Sequence, residues 1–202
     1  MIRCQSAFYT FTIFSKPASF SAAVKRVSLK VQNKAKKIKL LLLDVDGVLT
    51  DGGIVIDDRG HESKRFDVRD GQGIKLLQRA GIEVGFITGR SSRAVRHRAE
   101  ELGVSLVYQR VKDKTLIYER IKRNGRLKDE QMAYVGDDLA DLPILRQVGL
   151  AVTVQDAWSG VKSVADYVTQ AQGGRGAVRE LSEVLLKAQK VWQNLADSLY
   201  RS

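Results

Sequence analysis

The sequence predicts an α/β fold with a mainly parallel sheet, on three observations. Short apolar runs alternate with amphipathic helical patterns along most of the chain, the order expected of repeated strand–helix units. The run Leu40-Leu41-Leu42-Leu43 is apolar without alternation, as in a strand buried on both faces. That run and two later ones end in polar residues: Asp44-Val45-Asp46, Thr88-Gly89-Arg90 and Gly136-Asp137-Asp138. The C-terminal strand ends of an open parallel sheet form its ligand crevice.

The elements follow in order. Val24 to about Lys37 reads as a short amphipathic helix leading into a first strand at 38–44. Residues 53–57 and 61–66 read as two short strands around the turn Asp57-Asp58-Arg59-Gly60, a β-hairpin flap between the first strand and its helix. Asp70-Gly71 opens that helix, with Ile74, Leu76 and Leu77 on its apolar side. Residues 82–87 form the second strand. Ser91 or Ser92 caps the next helix and Gly103 ends it. A short strand at 104–108 and a helix from Asp113 to Lys122 follow. Residues 132–135 are a further strand, and 138–147 a helix. Residues 150–154 and 166–168 read as short strands flanking a helix near Trp158. Gly173-Gly174-Arg175-Gly176 is a hinge-like loop before a long last helix from Ala177.

The 202 residues suffice for one domain with a full core. No apolar stretch approaches the ~18 residues of a membrane span, so no membrane partner is expected. The single cysteine, Cys4, excludes an internal disulfide framework and a cysteine-based zinc site; it fits a reducing, cytoplasmic compartment. The net charge of +11 is uneven. Residues 1–43 hold nine basic residues and no acid, and the remainder carries 25 basic and 23 acidic residues. Residues 1–37 are therefore set apart as a basic extension, 38–188 as the folded body and 189–202 as a C-terminal helix or tail. Three readings of the extension compete: a disordered arm ahead of a short helix, an organelle-targeting peptide, or a nucleic-acid-binding arm. The body lacks the aromatic-basic interleaving of an RNA-binding platform, so no nucleic-acid partner is expected.

The strand ends are chemically coherent. Parallel strands align their C-terminal ends, so Asp44, Asp46, Thr88 and Asp137 should converge, with Lys114 in reach from the start of a helix. Three carboxylates suit a hard cation, most plausibly Mg²⁺ held together with substrate phosphate and water. A hydroxyl, backbone amides after a strand and a lysine suit a phosphoryl group. One aspartate beside the metal can act as nucleophile, and a second, two residues on, can give and take the proton. Taken alone, Thr88-Gly89-Arg90 is a common strand-to-helix turn, and Lys114 an ordinary solvated helix residue. In this order and on these elements they form one set.

Asp44-Val45-Asp46-Gly47-Val48-Leu49-Thr50, Thr88, Lys114 and Gly136-Asp137-Asp138-Leu139-Ala140-Asp141 resemble the four motifs of the haloacid dehalogenase-like phosphatases, over residues 38 to about 185. The resemblance implies a Rossmann-like, three-layer α/β/α architecture with no large cap domain. It implies Asp44 as nucleophile and Mg²⁺ ligand, and Asp46 as general acid/base with its backbone carbonyl on the metal. Thr88 and Lys114 would hold phosphoryl oxygens. Asp137 would complete the metal site, with Asp138 or Asp141 in support.

A narrower resemblance lies in Val68-Arg69-Asp70-Gly71, Ile87-Thr88-Gly89-Arg90 and Gly173-Gly174-Arg175-Gly176-Ala177-Val178-Arg179-Glu180, which are similar to the 3-deoxy-D-manno-octulosonate 8-phosphate phosphatase family. It implies a small acidic sugar-phosphate substrate in lipopolysaccharide precursor synthesis, and a homotetramer in which the hairpins pack together and a neighbouring chain helps close each site. By the same resemblance Asp67, Val68, Arg69, Asp70, Gly71, Lys75, Arg90 and Arg98 would line the substrate site, and Arg175 would reach its own or a neighbouring one. Arginine forks suit a substrate with a carboxylate and a phosphate. Two alternatives stay open: a phosphatase for a nine-carbon nonulosonate 9-phosphate, and a non-catalytic tetramerisation module.

Overall fold

The computed structural model describes residues 27–200. The readings placed on residues 1–26, disorder and targeting among them, lie outside the described residues. The strands are β1 (Leu40–Leu43), β2 (Val55–Ile56), β3 (Glu62–Ser63), β4 (Glu83–Ile87), β5 (Leu106–Tyr108), β6 (Met132–Val135), β7 (Leu150–Thr153) and β8 (Tyr167–Val168). Six of them form one parallel sheet in the order β5-β4-β1-β6-β7-β8. The chain builds outward from β1 on one side, then returns to build outward on the other. The strand order therefore reverses at β1, where a ligand crevice opens.

The four leucines of β1 explain themselves in the core. Leu41 and Leu43 join Ile74, Leu77, Val95, Leu181 and Leu185 on one face of the sheet. Leu40 and Leu42 join Tyr118, Ile121, Ile144 and Val161 on the other. Side chains alternate faces along a strand, so a central strand covered on both sides is apolar at every position. The covering helices are α1 (Leu29–Ala35), α2 (Val68–Arg79), α3 (Arg93–Leu102) and α7 (Ala177–Ala188) on the first face, and α4 (Lys114–Asn124), α5 (Leu142–Leu145) and α6 (Ser159–Lys162) on the second; α8 (Trp192–Tyr200) packs on α7. Burying one leucine contributes roughly 1.5–3 kcal/mol, enough for four to anchor a strand whose end carries crowded carboxylates. The result is a three-layer α/β/α domain. No described helix is long and apolar enough to cross a membrane.

Several boundaries differ from expectation for local reasons. α2 starts at Val68, two residues before Asp70, because Asp67 caps it by accepting the Arg69 N–H at 2.7 Å. Ser92 precedes α3 without a capping side-chain bond. The helix expected over 138–147 is a 3₁₀ turn, Leu139–Asp141, followed by the four-residue α5. The Asp141 carboxylate turns back onto the N–H groups of Asp137 and Asp138, which tightens that turn. The hairpin strands are only two residues each and form a separate antiparallel ribbon, β2 with β3. Its turn holds because Asp57 accepts the N–H groups of Arg59 and His61 at 2.9 and 2.7 Å.

α1 packs into the body. Val31 and Ala35 are buried, and Lys30 and Lys34 both pair with Asp166, at 3.2 and 2.5 Å. The division at residue 38 is thus one of charge rather than of packing.

Candidate active site

β1 runs between β4 and β6, with Leu43 opposite both Phe86 and Val135. That register delivers Asp44, Thr88 and Asp137 to one sheet edge. The chain after Asp44 turns tightly, with Leu49 and Thr50 both donating N–H bonds to Val45 O, at 2.9 and 3.0 Å. Gly47 has φ +87°, and a Cβ there would overlap the Asp137 carboxylate, so only glycine fits between the two acidic segments. Gly173 lies against the Gly47 carbonyl as closely, and Gly174 donates its N–H to Val48 O at 2.9 Å. The glycine loop before α7 is therefore the floor beneath the turn after Asp44, which is why it holds no side chain at those two positions.

Lys114, the first residue of α4, is buried between two carboxylates, 3.0 Å from Asp44 Oδ1 and 2.7 Å from Asp141 Oδ1. Asp113 caps α4 by accepting the Thr115 N–H at 2.9 Å, which sets where Lys114 starts. Asp141 is fully engaged. Oδ1 also accepts the Tyr134 hydroxyl at 2.6 Å, and Oδ2 accepts the N–H groups of Asp137 and Asp138 at 2.9 and 3.2 Å. Asp138 instead points outward and bonds the Leu139 N–H. Of the two, Asp141 supports the acidic loop and the lysine. Thr88 is buried at the end of β4, its hydroxyl accepting the Arg90 N–H at 3.2 Å.

The electrostatics point to a cation. Burial pushes the Asp44 carboxyl up to about 6, against the pull of Lys114, and the Asp141 charge pushes the same way. Burial and the neighbouring charges of Asp44 and Asp141 push Asp137 up to about 7. Carboxylate oxygens of Asp44, Asp137 and Asp141 lie within 4.8 Å of one another. Asp141 already has four donors, whereas the Asp137 carboxylate has no hydrogen-bond or ion-pair partner among the described residues. An all-oxygen set of two crowded carboxylates, Asp44 and Asp137, fits Mg²⁺ by donor chemistry.

Asp46 faces the hairpin. Lys64, whose side chain is only 1 % exposed, donates to Asp46 Oδ1 and lies 3.1 Å from Glu62 Oε1. Arg90 donates to Glu62 Oε2 at 2.6 Å, a bond that holds the Glu62 carboxyl down at about 2. Sequence reasoning missed Lys64 and Glu62. They lie in the flap, and no periodicity in a two-residue strand says which way a lysine points.

The other expected substrate residues divide. Asp67, Val68 and Arg69 form a lip at the start of α2, exposed at Val68 and Arg69 and half-buried at Asp67, with Arg69 paired to Asp67 at 2.8 Å and bonded to the Arg175 carbonyl at 3.0 Å. Arg98 reaches the same lip, donating to Asp67 O at 3.3 Å. Arg175 lies 3.8 Å from Asp51, beside the turn after Asp44. Gly71 and Asp70 are buried. Both Asp70 oxygens are occupied by backbone donors, Gly176 N–H at 3.2 Å and Arg179 N–H at 2.8 Å, so Asp70 joins α2 to α7 rather than facing the crevice. Lys75 lies two turns further down α2 and donates to the Glu101 carbonyl at 3.0 Å, away from the strand ends.

The chain and its fold have known relatives. The family profile described as haloacid dehalogenase-like hydrolase matches residues 67–149. The chain is 45% identical over 172 residues to the 3-deoxy-D-manno-octulosonate 8-phosphate phosphatase of Escherichia coli (strain B / BL21-DE3), covering 85% of this chain and 92% of that protein. The crystal structure of the Yersinia pestis phosphatase of that name superposes with TM-score 0.81 at 44% identity, over 82% of this chain and 89% of that one. The Moraxella catarrhalis phosphatase, solved in complex with a magnesium ion, a phosphate ion and a KDO molecule, superposes with TM-score 0.83 at 40% identity, over 84% of this chain and 98% of that one.

Proposed function

Since the chain belongs to the 3-deoxy-D-manno-octulosonate 8-phosphate phosphatase family of the haloacid dehalogenase-like hydrolases, we propose the following reading of its own residues. The protein is a Mg²⁺-dependent phosphatase that converts 3-deoxy-D-manno-octulosonate 8-phosphate to the free sugar acid and phosphate. The observation that carries the reading is the buried Lys114 ammonium between Asp44 and Asp141, with Asp46 two residues beyond Asp44.

Asp44 attacks phosphorus through a carboxylate oxygen, forming an aspartyl phosphate as the ester P–O bond breaks. Asp46 gives its proton to the departing sugar oxygen. Asp46 then takes a proton from water as that water attacks phosphorus, and Asp44 is released with phosphate. Lys114 keeps Asp44 ionised against its burial and holds a phosphoryl oxygen together with Thr88. Asp44, Asp137 and the Asp46 carbonyl hold Mg²⁺, which when bound neutralises the charge that builds on the phosphoryl oxygens. Arg69, Arg90 and Arg98 supply positive charge for the acidic sugar at the rim.

The hairpin supports assembly as a homotetramer. Ile54, Val55 and Ile56 are 53, 63 and 59 % exposed on a ribbon that is marginal by itself, and burial against other copies would stabilise it. A cytoplasmic place in lipopolysaccharide precursor synthesis belongs to the same proposal. The complete set Asp44, Asp46, Thr88, Lys114 and Asp137 favours catalysis over a purely structural module.

The test is phosphate release with Mg²⁺ on the eight-carbon sugar acid phosphate, a nine-carbon nonulosonate 9-phosphate and simple hexose phosphates. Strong preference for the eight-carbon acid, abolished by EDTA, is the expected result. Preference for the nine-carbon substrate would replace the substrate assignment, and no turnover of any would remove the enzymatic reading.

A further inference from the structure

The two carboxylate oxygens of Asp46 meet different surroundings. Oδ1 is held by Lys64, from the strand leaving the flap. Oδ2 is buried and accepts no hydrogen bond among the described residues, with Arg90 Nε 4.0 Å away. Lys64 is itself fixed. Its stem is enclosed, and its ammonium is shared with Glu62, which Arg90 holds from the other side. A buried acceptor without a donor is costly, so an orphaned oxygen in a crevice marks the place where a ligand atom completes the bonding.

The terminal torsion of an aspartate is broad, so the carboxylate plane is set by what its oxygens bond. Pinning one oxygen fixes the direction of the other. We propose that Lys64 is a positioning residue: by holding Asp46 Oδ1 it aims Oδ2 at the ester oxygen of the bound phosphomonoester, and Glu62 and Arg90 hold Lys64 in that place. The inference rests on the reading of Asp46 as the acid that protonates the leaving group. It makes the flap part of the proton-transfer geometry. Lys64 lies one residue past β3, so movement of the ribbon carries the Asp46 carboxylate with it.

The test separates aiming a proton from merely filling space. Leaving groups that are strong acids depart without help, and weakly acidic ones need the proton. kcat/KM reports formation of the aspartyl phosphate and departure of the leaving group. It is measured for wild type and Lys64→Met on aryl phosphates of one size but differing acidity, from p-nitrophenyl to phenyl phosphate, and on the sugar phosphate. The expected result is a steeper dependence of log kcat/KM on leaving-group pKa in Lys64→Met, so that phenyl phosphate loses about tenfold more than p-nitrophenyl phosphate. In an Asp46→Asn background, Lys64→Met should steepen the dependence no further.

An unchanged slope overturns the proposal, whether activity falls evenly or only on the sugar phosphate. The latter would make Lys64 a direct sugar contact. If Lys64→Met fails to fold, Glu62→Gln, which loosens Lys64 without removing it, must steepen the slope in the same direction, and an unchanged slope there is equally decisive. A wild type that hydrolyses none of these esters overturns the phosphatase reading and this proposal together.

Discussion

The buried carboxylate of Asp70 accepts the backbone N–H of Arg179 at 2.8 Å, joining the first turn of α2 to the first turn of α7 across 109 positions of sequence. Its second oxygen takes the Gly176 N–H. One side chain thereby caps a distant helix and holds the glycine loop that underlies the turn after Asp44. Asp70→Ala leaves two buried donors without partners. It should lower the free energy of unfolding by roughly 2–6 kcal/mol, at about 1–3 kcal/mol per orphaned group. Urea denaturation measures this, and a stability within about 0.5 kcal/mol of wild type would contradict the assignment.

Asp44→Asn should reduce turnover on the order of a thousandfold or more, because the amide cannot form the acyl phosphate. The fold should survive, since the substitution removes a buried negative charge that burial already disfavours. Retained turnover in a correctly folded variant would remove Asp44 as nucleophile.

Asp137 and Asp141 should separate by what they hold. Asp137 has no protein partner for its carboxylate, so Asp137→Ala should raise the Mg²⁺ concentration for half-maximal activity by about tenfold or more. Asp141 holds Lys114, Tyr134 and two backbone N–H groups, so Asp141→Ala should mainly lower kcat and melting temperature. A Mg²⁺ titration on each variant decides. The same shift in both would mean that Asp141 is also a ligand.

The pH dependence of stability follows from three carboxyls. Asp44 and Asp70 are pushed up to about 6 by burial, and Asp137 to about 7 by burial and the Asp44 charge, from the ordinary 3.8. Between about pH 5.5 and 7, above the range in which carboxyls held low such as Glu62 titrate, these three bind more protons in the folded protein than in the unfolded chain, so stability falls as pH rises. In EDTA, the melting temperature should climb as pH is lowered from 8 to 5.5. Saturating Mg²⁺ should raise it most at pH 8, where protons compete least for the same oxygens. A metal-free protein that loses stability over that acidification would contradict the crowded-carboxylate picture.

Ile54→Lys with Ile56→Lys should dissociate the proposed homotetramer, because charge on the exposed ribbon opposes burial against other copies. Light scattering reads the mass. Equal masses for wild type and variant would remove the hairpin from assembly.

Much of the site was legible before the fold. Asp44 and Asp46 at the end of an unbroken apolar strand, and Asp137 and Thr88 at the ends of two others, converge because parallel strands align their ends. Lys114 was legible from its place at a helix start between two of those strand ends. Residues on the flanking helices were harder. Lys75 and Asp70 share α2 with the lip at Asp67, yet one lies two turns from the crevice and the other faces inward to α7.

The sequence by itself determined the α/β class, the buried central strand and the acidic strand ends, because these rest on local patterns: apolar periodicity, caps and the residues directly after a strand. Only the tertiary structure decided that Asp141 rather than Asp138 holds Lys114, that Asp70 is a strut between helices, and that Lys64 from the flap holds Asp46. Each of those bonds joins segments brought together by packing. A side chain's partner across such a gap depends on the direction of the element that carries it, which spacing along the chain does not encode.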